Sequence, residues 1–223
     1  MTLEAIASAI YNSVVGGLTG ISSNPKISIE QIKDEAVAER HQVLREFLLK
    51  GVIKIDELMK TINCIQVSCD YISKCCDAQV GDKAMHFEIP PVMVFPGEKT
   101  IKYIGSIDNN TEYTIYMDQS YKYNNLRRRK SQRPYVFVDT AINSNGNMDC
   151  YIYNAPFVKA VKVVALFNDP RKLLEWDCCS ADKDVIMDFG LISDEVIKRM
   201  VEKYVRWFRQ FQSTVLPNNQ QPK

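Results

Sequence analysis

The chain has 223 residues, and its 28 lysines and arginines nearly balance 27 aspartates and glutamates, leaving a net charge of +1. That balance excludes a nucleic-acid or membrane partner chosen by overall charge and leaves only local patches to consider. With 46% hydrophobic and 25% charged residues the composition is that of an ordinary globular protein. It is enough chain for one large domain or two small ones, and no apolar run approaches membrane-spanning length.

The N-terminal apolar residues are broken by Glu4, Asn12 and Gly16-Gly17, so no signal peptide is expected. Leu3 to Val15 reads as a short helix, with Leu3, Ile6, Ala7, Ile10 and Val14 on one face. Ser28 opens a second helix, with Gln31 three residues on in a capping-box pattern. Its apolar side carries Ile32, Ala36, Val43, Leu44, Phe47 and Leu48. Its charged side carries Lys33, Asp34, Glu39, Arg40, Arg45 and Glu46, and Lys50-Gly51 is the stop. A third short helix is expected from about Asp56, carrying Leu58, Met59 and Ile62.

From Ile65 the pattern changes to short apolar runs between turn residues. Ile65–Val67 reads as a strand, and Asp70–Cys76 as a turn or a helical turn. Glu88–Val94 is confined by Pro90-Pro91 to an edge strand or an extended segment. Thr100–Ile107 and Glu112–Met117 flank a turn-rich Asp108–Thr111 and read as one hairpin. Tyr135–Asp139 and Asp149–Tyr153 flank Asn143–Asn147 and read as a second. Cys150–Tyr153, within that hairpin, and a further strand-like run, Val158–Phe167, lie in the most apolar stretch of the chain. Asn168-Asp169-Pro170 ends the second run, and Arg171–Trp176 begins a short helix.

The last element is a long helix. Ser193 is the expected cap, and Asp194 and Glu195 are expected in the first turn, where the helix dipole favours negative charge. Ile197, Met200, Val201, Tyr204, Phe208 and Phe211 form its apolar stripe. Lys198, Arg199, Lys203, Arg206 and Arg209 cover the other side. The fold class is therefore α+β. A helical bundle is made by residues 1–63 and 190–216, an antiparallel β sandwich or barrel spans residues 64–189 between them, and residues 217–223 form a flexible tail.

Catalysis finds little support. His41 and His86 sit in no nucleophile, P-loop, dinucleotide or zincin motif, and both read as surface or loop histidines. Cys75-Cys76 and Cys178-Cys179 are adjacent pairs, not the two-to-four-residue gaps that let two thiolates reach one zinc ion. The seven cysteines, an odd number without a secretory signal, read as reduced cytosolic thiols. No enzyme activity, metal or cofactor is expected. The one dense basic run is Arg127, Arg128, Arg129, Lys130 and Arg133, flanked by Tyr121, Tyr123 and Tyr135. It suits three readings: contact with DNA phosphates, a solvated loop, or docking on an acidic partner surface. Arg206, Trp207 and Arg209 put an aromatic between arginines off the apolar stripe, a composition that protein interfaces enrich.

Four stretches together carry a family resemblance: HFEIPPVMVFPGEKTIKYIGSID, RRRKSQRPYVFVDTAINSNGNMDCYIYNAP, VKAVKVVALFNDPRKLLEWDCC and ISDEVIKRMVEKYVRWF. The combination of KYIGS, YVFVDT and NDPRKL is the most telling part. The chain resembles structural proteins of tailed bacteriophages, most nearly the head-to-tail connector or neck ring proteins of crAss-like phages. Its layout is similar to that of podovirus tail adaptor, or gatekeeper, proteins. The resemblance covers about Ile65 to Phe211. It implies a non-enzymatic homo-oligomer, commonly a ring of twelve copies, in the virion neck under the portal and around the DNA channel. The implied partners are other copies, the portal, neighbouring neck or tail rings and the packaged DNA. The implied place of synthesis is the bacterial host cytoplasm, and no membrane is involved. The alternative is a nucleic-acid-binding accessory protein that works through Arg127–Arg133.

Overall fold

The first helix, α1 (Leu3–Gly17), follows directly from its apolar spacing: Leu3, Ile6, Ala7, Ile10 and Val14 are all buried. The computed structural model describes residues 1–17, 27–71, 83–95, 99–117, 133–155, 157–176 and 190–215. Helix α2 (Ile29–Leu49) begins at Ser28, whose Oγ accepts the Gln31 backbone N–H at 3.0 Å. The reciprocal half of the capping box is not made, because the Gln31 amide donates forward to Glu35 at 3.1 Å. At the other end Gly51 takes φ +65°, and the amides of Gly51 and Val52 close on the carbonyls of Leu48 and Phe47. This is the left-handed glycine stop that satisfies carbonyls left over by the last turn.

Two expectations about these helices are corrected. Arg40, assigned to the solvent side of α2, is 2% exposed. The reason is that α2 packs against both α1 and the long C-terminal helix, so it has two inner sides. That C-terminal helix begins at Gly190, so Ser193 is not its cap and no acidic residue lies in its first turn. With α3 being the single turn Leu173–Trp176, the long helix Gly190–Val215 is α4. Its buried row is Ile192, Val196, Met200, Tyr204 and Phe208, at strict i, i+4 spacing. Ile197 and Val201 flank this row half-buried, so the face is rotated from the expected stripe.

Ion pairs tie α4 to α2. The Arg199 guanidinium donates to both carboxylate oxygens of Glu46 at 2.8 and 2.7 Å and to Glu195 at 2.8 Å. Lys203 Nζ lies 2.8 Å from Glu35. Hydrogen bonds from Arg199 hold the Glu46 carboxyl below its ordinary pKa. Burial pushes Glu35 up, but the hydrogen bonds from Lys203 and Gln31 outweigh it and leave a net lowering.

The Ser193 hydroxyl is 2% exposed as a residue and its Oγ has no hydrogen-bond partner. An unmade hydrogen bond of a buried hydroxyl is a cost, not a gain. Ser193→Ala is therefore expected to stabilise the protein by about 1 kcal/mol. A working N-cap would instead lose about 1 kcal/mol. Urea denaturation of the two proteins reads the sign.

The chain divides into two units, Met1–Ile53 with Asp184–Lys223, and Lys54–Lys183. The second unit opens with a 3-10 turn, Ile55–Leu58, where a third helix was expected. The residues that follow, including Ile62, belong to strand β1 (Lys60–Gln66), as the β-branched Thr61, Ile62 and Ile65 favour. Cys64 takes φ +60° where the register between Ile62 and Ile65 shifts, which marks a β-bulge. The other strands are β2 (Ser68–Tyr71), β3 (Lys83–Ile89), β4 (Ile101–Gly105), β5 (Thr114–Tyr116), β6 (Tyr135–Ile142), β7 (Met148–Tyr153) and β8 (Ala160–Ala165).

They form a three-stranded sheet in the order β1-β8-β4 and a five-stranded sheet in the order β2-β3-β7-β6-β5. The second sheet is mixed, because β5 runs parallel to β6. The hairpin expected around Asn143–Asn147 is β6-β7, closed by Asn143 N–H to the Asn147 carbonyl at 2.8 Å with Gly146 at φ +76°. Pro90-Pro91 stops β3, an inner strand and not an edge. The chain then continues extended, with Met93 N–H on the Leu166 carbonyl and Asn168 N–H on the Pro91 carbonyl. Val161 and Val163 of the central strand β8 join Phe87, Val138 and Ile152 of the larger sheet in one buried cluster.

Candidate functional site

The feature that the β unit builds around its basic residues starts at a turn. Residues 106–113 connect β4 to β5, and Asn109, in the turn at 106–111, sits at φ +61°. Ser106 N–H donates to the Thr111 carbonyl at 2.8 Å, and Thr111 N–H returns to Ser106 Oγ at 2.9 Å. Asp108 accepts the Asn110 N–H at 3.1 Å, and hydrogen bonding from Ser106 and Asn110 keeps its carboxyl below the ordinary pKa. The Tyr103 hydroxyl lies 2.8 Å from the Ser106 carbonyl and 3.2 Å from that of Thr111. Gly105 lets the turn close. A Cβ there would overlap the Thr111 carbonyl oxygen and come within 2.6 Å of the Tyr103 hydroxyl.

Beyond this apex the expected hairpin does not continue. Gly105 bridges Glu112, and Tyr113 N–H reaches the Ile104 carbonyl at 2.8 Å. Then the strands part: β4 joins β8 in the smaller sheet, and β5 joins β6 in the larger. The correction has a physical cause. β4 and β5 each find a longer partner elsewhere, and side chains of both sheets fill the core between them.

Between the parted strands lies an open cleft of about 700 Å³. Its floor has Ile101, Ile115 and Met117; its rim has Lys99, Lys102, Glu112 and Arg133. The alternation is regular: Ile101 is buried and Lys102 exposed, Thr114 exposed and Ile115 half-buried. Lys102 pairs with Asp56 at 2.8 Å, but both groups are more than half exposed, so the pair holds the lysine only weakly. Burial, with Tyr103 nearby, raises the Tyr113 hydroxyl above its ordinary pKa.

Of the expected basic run, Arg133 is exposed on the rim of this cleft. Arg127, Arg128, Arg129 and Lys130 lie outside the described residues, as do Tyr121 and Tyr123. Met117 and Arg133, the described residues on either side of 118–132, both line the cleft. Tyr135 stacks on Tyr153, with ring centroids 4.8 Å apart and planes 12° from parallel. Lys99 and Lys102 join Arg133 only through the pairing of β4, a relation that no local pattern in the sequence signals.

The other expected face stands on α4. Arg206, Trp207 and Arg209 are exposed; Trp207 is 52% exposed and packs edge-on against Phe208 at 4.8 Å. Arg206 and Arg209 flank a shallow hollow of about 440 Å³ that Glu202, Val205 and Gln210 complete.

His86 is not a loop histidine. It lies on β3 with Nε2 3.0 Å from Asp149, and its ring is 5.2 Å from that of Tyr151. Asp149 also accepts the Asn143 amide at 3.0 Å, which ties the pair to the β6-β7 turn. Cys64 is half-buried and free, and Cys150 is fully buried, where desolvation raises its thiol pKa well above the ordinary value. Cys75, Cys76, Cys178 and Cys179 lie outside the described residues, as does the 217–223 tail. Among the described residues no three metal-ligating side chains gather, and no helix is long and apolar enough to cross a membrane. No family model and no curated protein matches the chain.

Proposed function

We propose that the chain is a virion structural protein that forms a ring in the head-to-tail connector of a tailed bacteriophage, docking portal to tail around the DNA channel. On this reading the helices from both chain ends form a bundle and the β unit is a sandwich inserted into it, the layout of the tail adaptors that the sequence resembles. The observation that carries the reading is the discontinuous helical unit: Met1–Ile53 and Asp184–Lys223 belong to one compact unit, and the intervening Lys54–Lys183 is a second. A ring also needs two unlike surfaces on each subunit, because head-to-tail contacts close by rotation. The arginine-flanked Trp207 on α4 and the basic cleft of the β unit are two such surfaces. Arg127–Lys130 would repeat around the ring as a positive belt. Docking on an acidic neighbour suits that belt better than gripping DNA, since a channel must let DNA slide.

A nucleic-acid-binding accessory protein is the second reading, favoured by the gathering of Lys99, Lys102 and Arg133 along one cleft. Replacing Arg127, Arg128 and Arg129 with serine separates the possibilities. Loss of particle assembly is the expected result. Normal assembly with leaking genomes would place the belt on DNA, and no effect on either would remove the run from function.

A further inference from the structure

The cleft between β4 and β5 has the form of a sheet with one strand missing. Among the described residues β4 is an outer strand of the smaller sheet and β5 an outer strand of the larger. They are joined at one end by the Tyr113 to Ile104 hydrogen bond, and among the described residues no strand lies between them at the other. An outer strand presents a row of backbone donors and acceptors, which is the template for adding a strand. Here two such rows border one opening.

We propose that this cleft takes an extended acidic peptide segment of a neighbouring protein, which inserts as a strand between β4 and β5 and joins the two sheets. Three features specify that occupant. The rim keeps a positive excess, with Lys99, Lys102 and Arg133 against Glu112 and the Asp56 that pairs with Lys102, so the segment carries acidic residues. The floor is apolar, with Ile101, Ile115 and Met117. A strand places successive side chains on opposite faces, so acidic and apolar residues alternate along the segment. The apex turn is held by the Ser106–Thr111 and Tyr103 hydrogen bonds, so the opening is built before the peptide arrives. The proposal rests on the connector reading for the source of the peptide, a neighbouring subunit or ring, but not for the binding itself.

The test uses the full chain and a fluorescent ten-residue peptide of alternating aspartate and valine, read by anisotropy. Binding is expected, with at least about ten-fold weaker affinity for the lysine-valine counterpart and for the Lys99→Glu, Arg133→Glu double variant. The decisive probe is the aspartate-valine peptide with alternate backbone nitrogens methylated. It keeps every charge but cannot complete a ladder, and it is expected to bind at least about ten-fold more weakly. Equal binding of the methylated peptide overturns strand insertion without any variant protein. No binding of the parent peptide overturns the site while leaving ring assembly untouched. Preferential binding of single-stranded oligothymidylate assigns the rim to phosphate and also overturns the proposal. Failure to form rings while the peptide still binds would count against the connector reading alone.

Discussion

Gly105→Ala is expected to destabilise the β unit by about 3 kcal/mol. The added Cβ meets the Thr111 backbone oxygen and the Tyr103 ring, not the loose end of a flexible side chain. Neither can move alone. The Thr111 carbonyl accepts the Ser106 N–H, and the Tyr103 hydroxyl sits against the Ser106 carbonyl. Relief therefore requires opening the apex, which also releases the Tyr113 to Ile104 bond that sets where β4 and β5 part. Urea denaturation gives the loss directly. Gly51→Ala supplies the contrast. It meets no neighbouring atom and carries only the strain of φ +65°, a cost of about 1 kcal/mol. Equal losses at the two sites would contradict the close approach at Gly105.

If the chain assembles as the proposed ring, Trp207→Asp is expected to abolish that assembly while leaving the subunit folded. Trp207 is 52% exposed at a helix position outside the buried row, so its loss costs the subunit its edge contact with Phe208 but leaves the buried row of α4 intact. A tryptophan buried at the centre of an interface is worth about 2 kcal/mol or more, about thirty-fold in each contact. A closed ring repeats that penalty at every contact, so even a moderate defect removes the assembled state. Arg206→Ala and Arg209→Ala are expected to weaken assembly less and in a salt-dependent way, since both are exposed charges one and two positions from Trp207 and so do not share its helix face. Sedimentation of each variant against the parent protein checks the order. Assembly of Trp207→Asp at the parent concentration would remove α4 from the contact.

The helices were legible because their apolar spacing is a local signal. Leu3, Ile6, Ile10 and Val14 are named by period alone, and all are buried. The start of α4 was not, because Ser193 followed by acidic residues imitates a cap while the helix runs back to Gly190. In α2 the buried Arg40 shows a second limit. Period identifies one apolar face, but a helix packed on two sides must also bury part of its charged face.

The strands divide in the same way. The β6-β7 hairpin was legible because Asn-Gly chemistry closes a short loop between its own neighbours. The parting of β4 from β5 was not, since each pairs with a strand distant in sequence and the turn between them looks like any hairpin turn. The cleft follows from that parting. Arg133 could be named from its charge run, but Lys99 and Lys102 belong with it only through tertiary pairing.

Electron cryo-microscopy of the virion neck tests the connector reading most directly. The expected result is a closed ring, commonly of twelve copies, at the portal vertex, with density that accepts the helical unit of α1, α2 and α4 and the two sheets of the β unit. A neck in which every ring is traced to other chains, with no density left for this one, would contradict it.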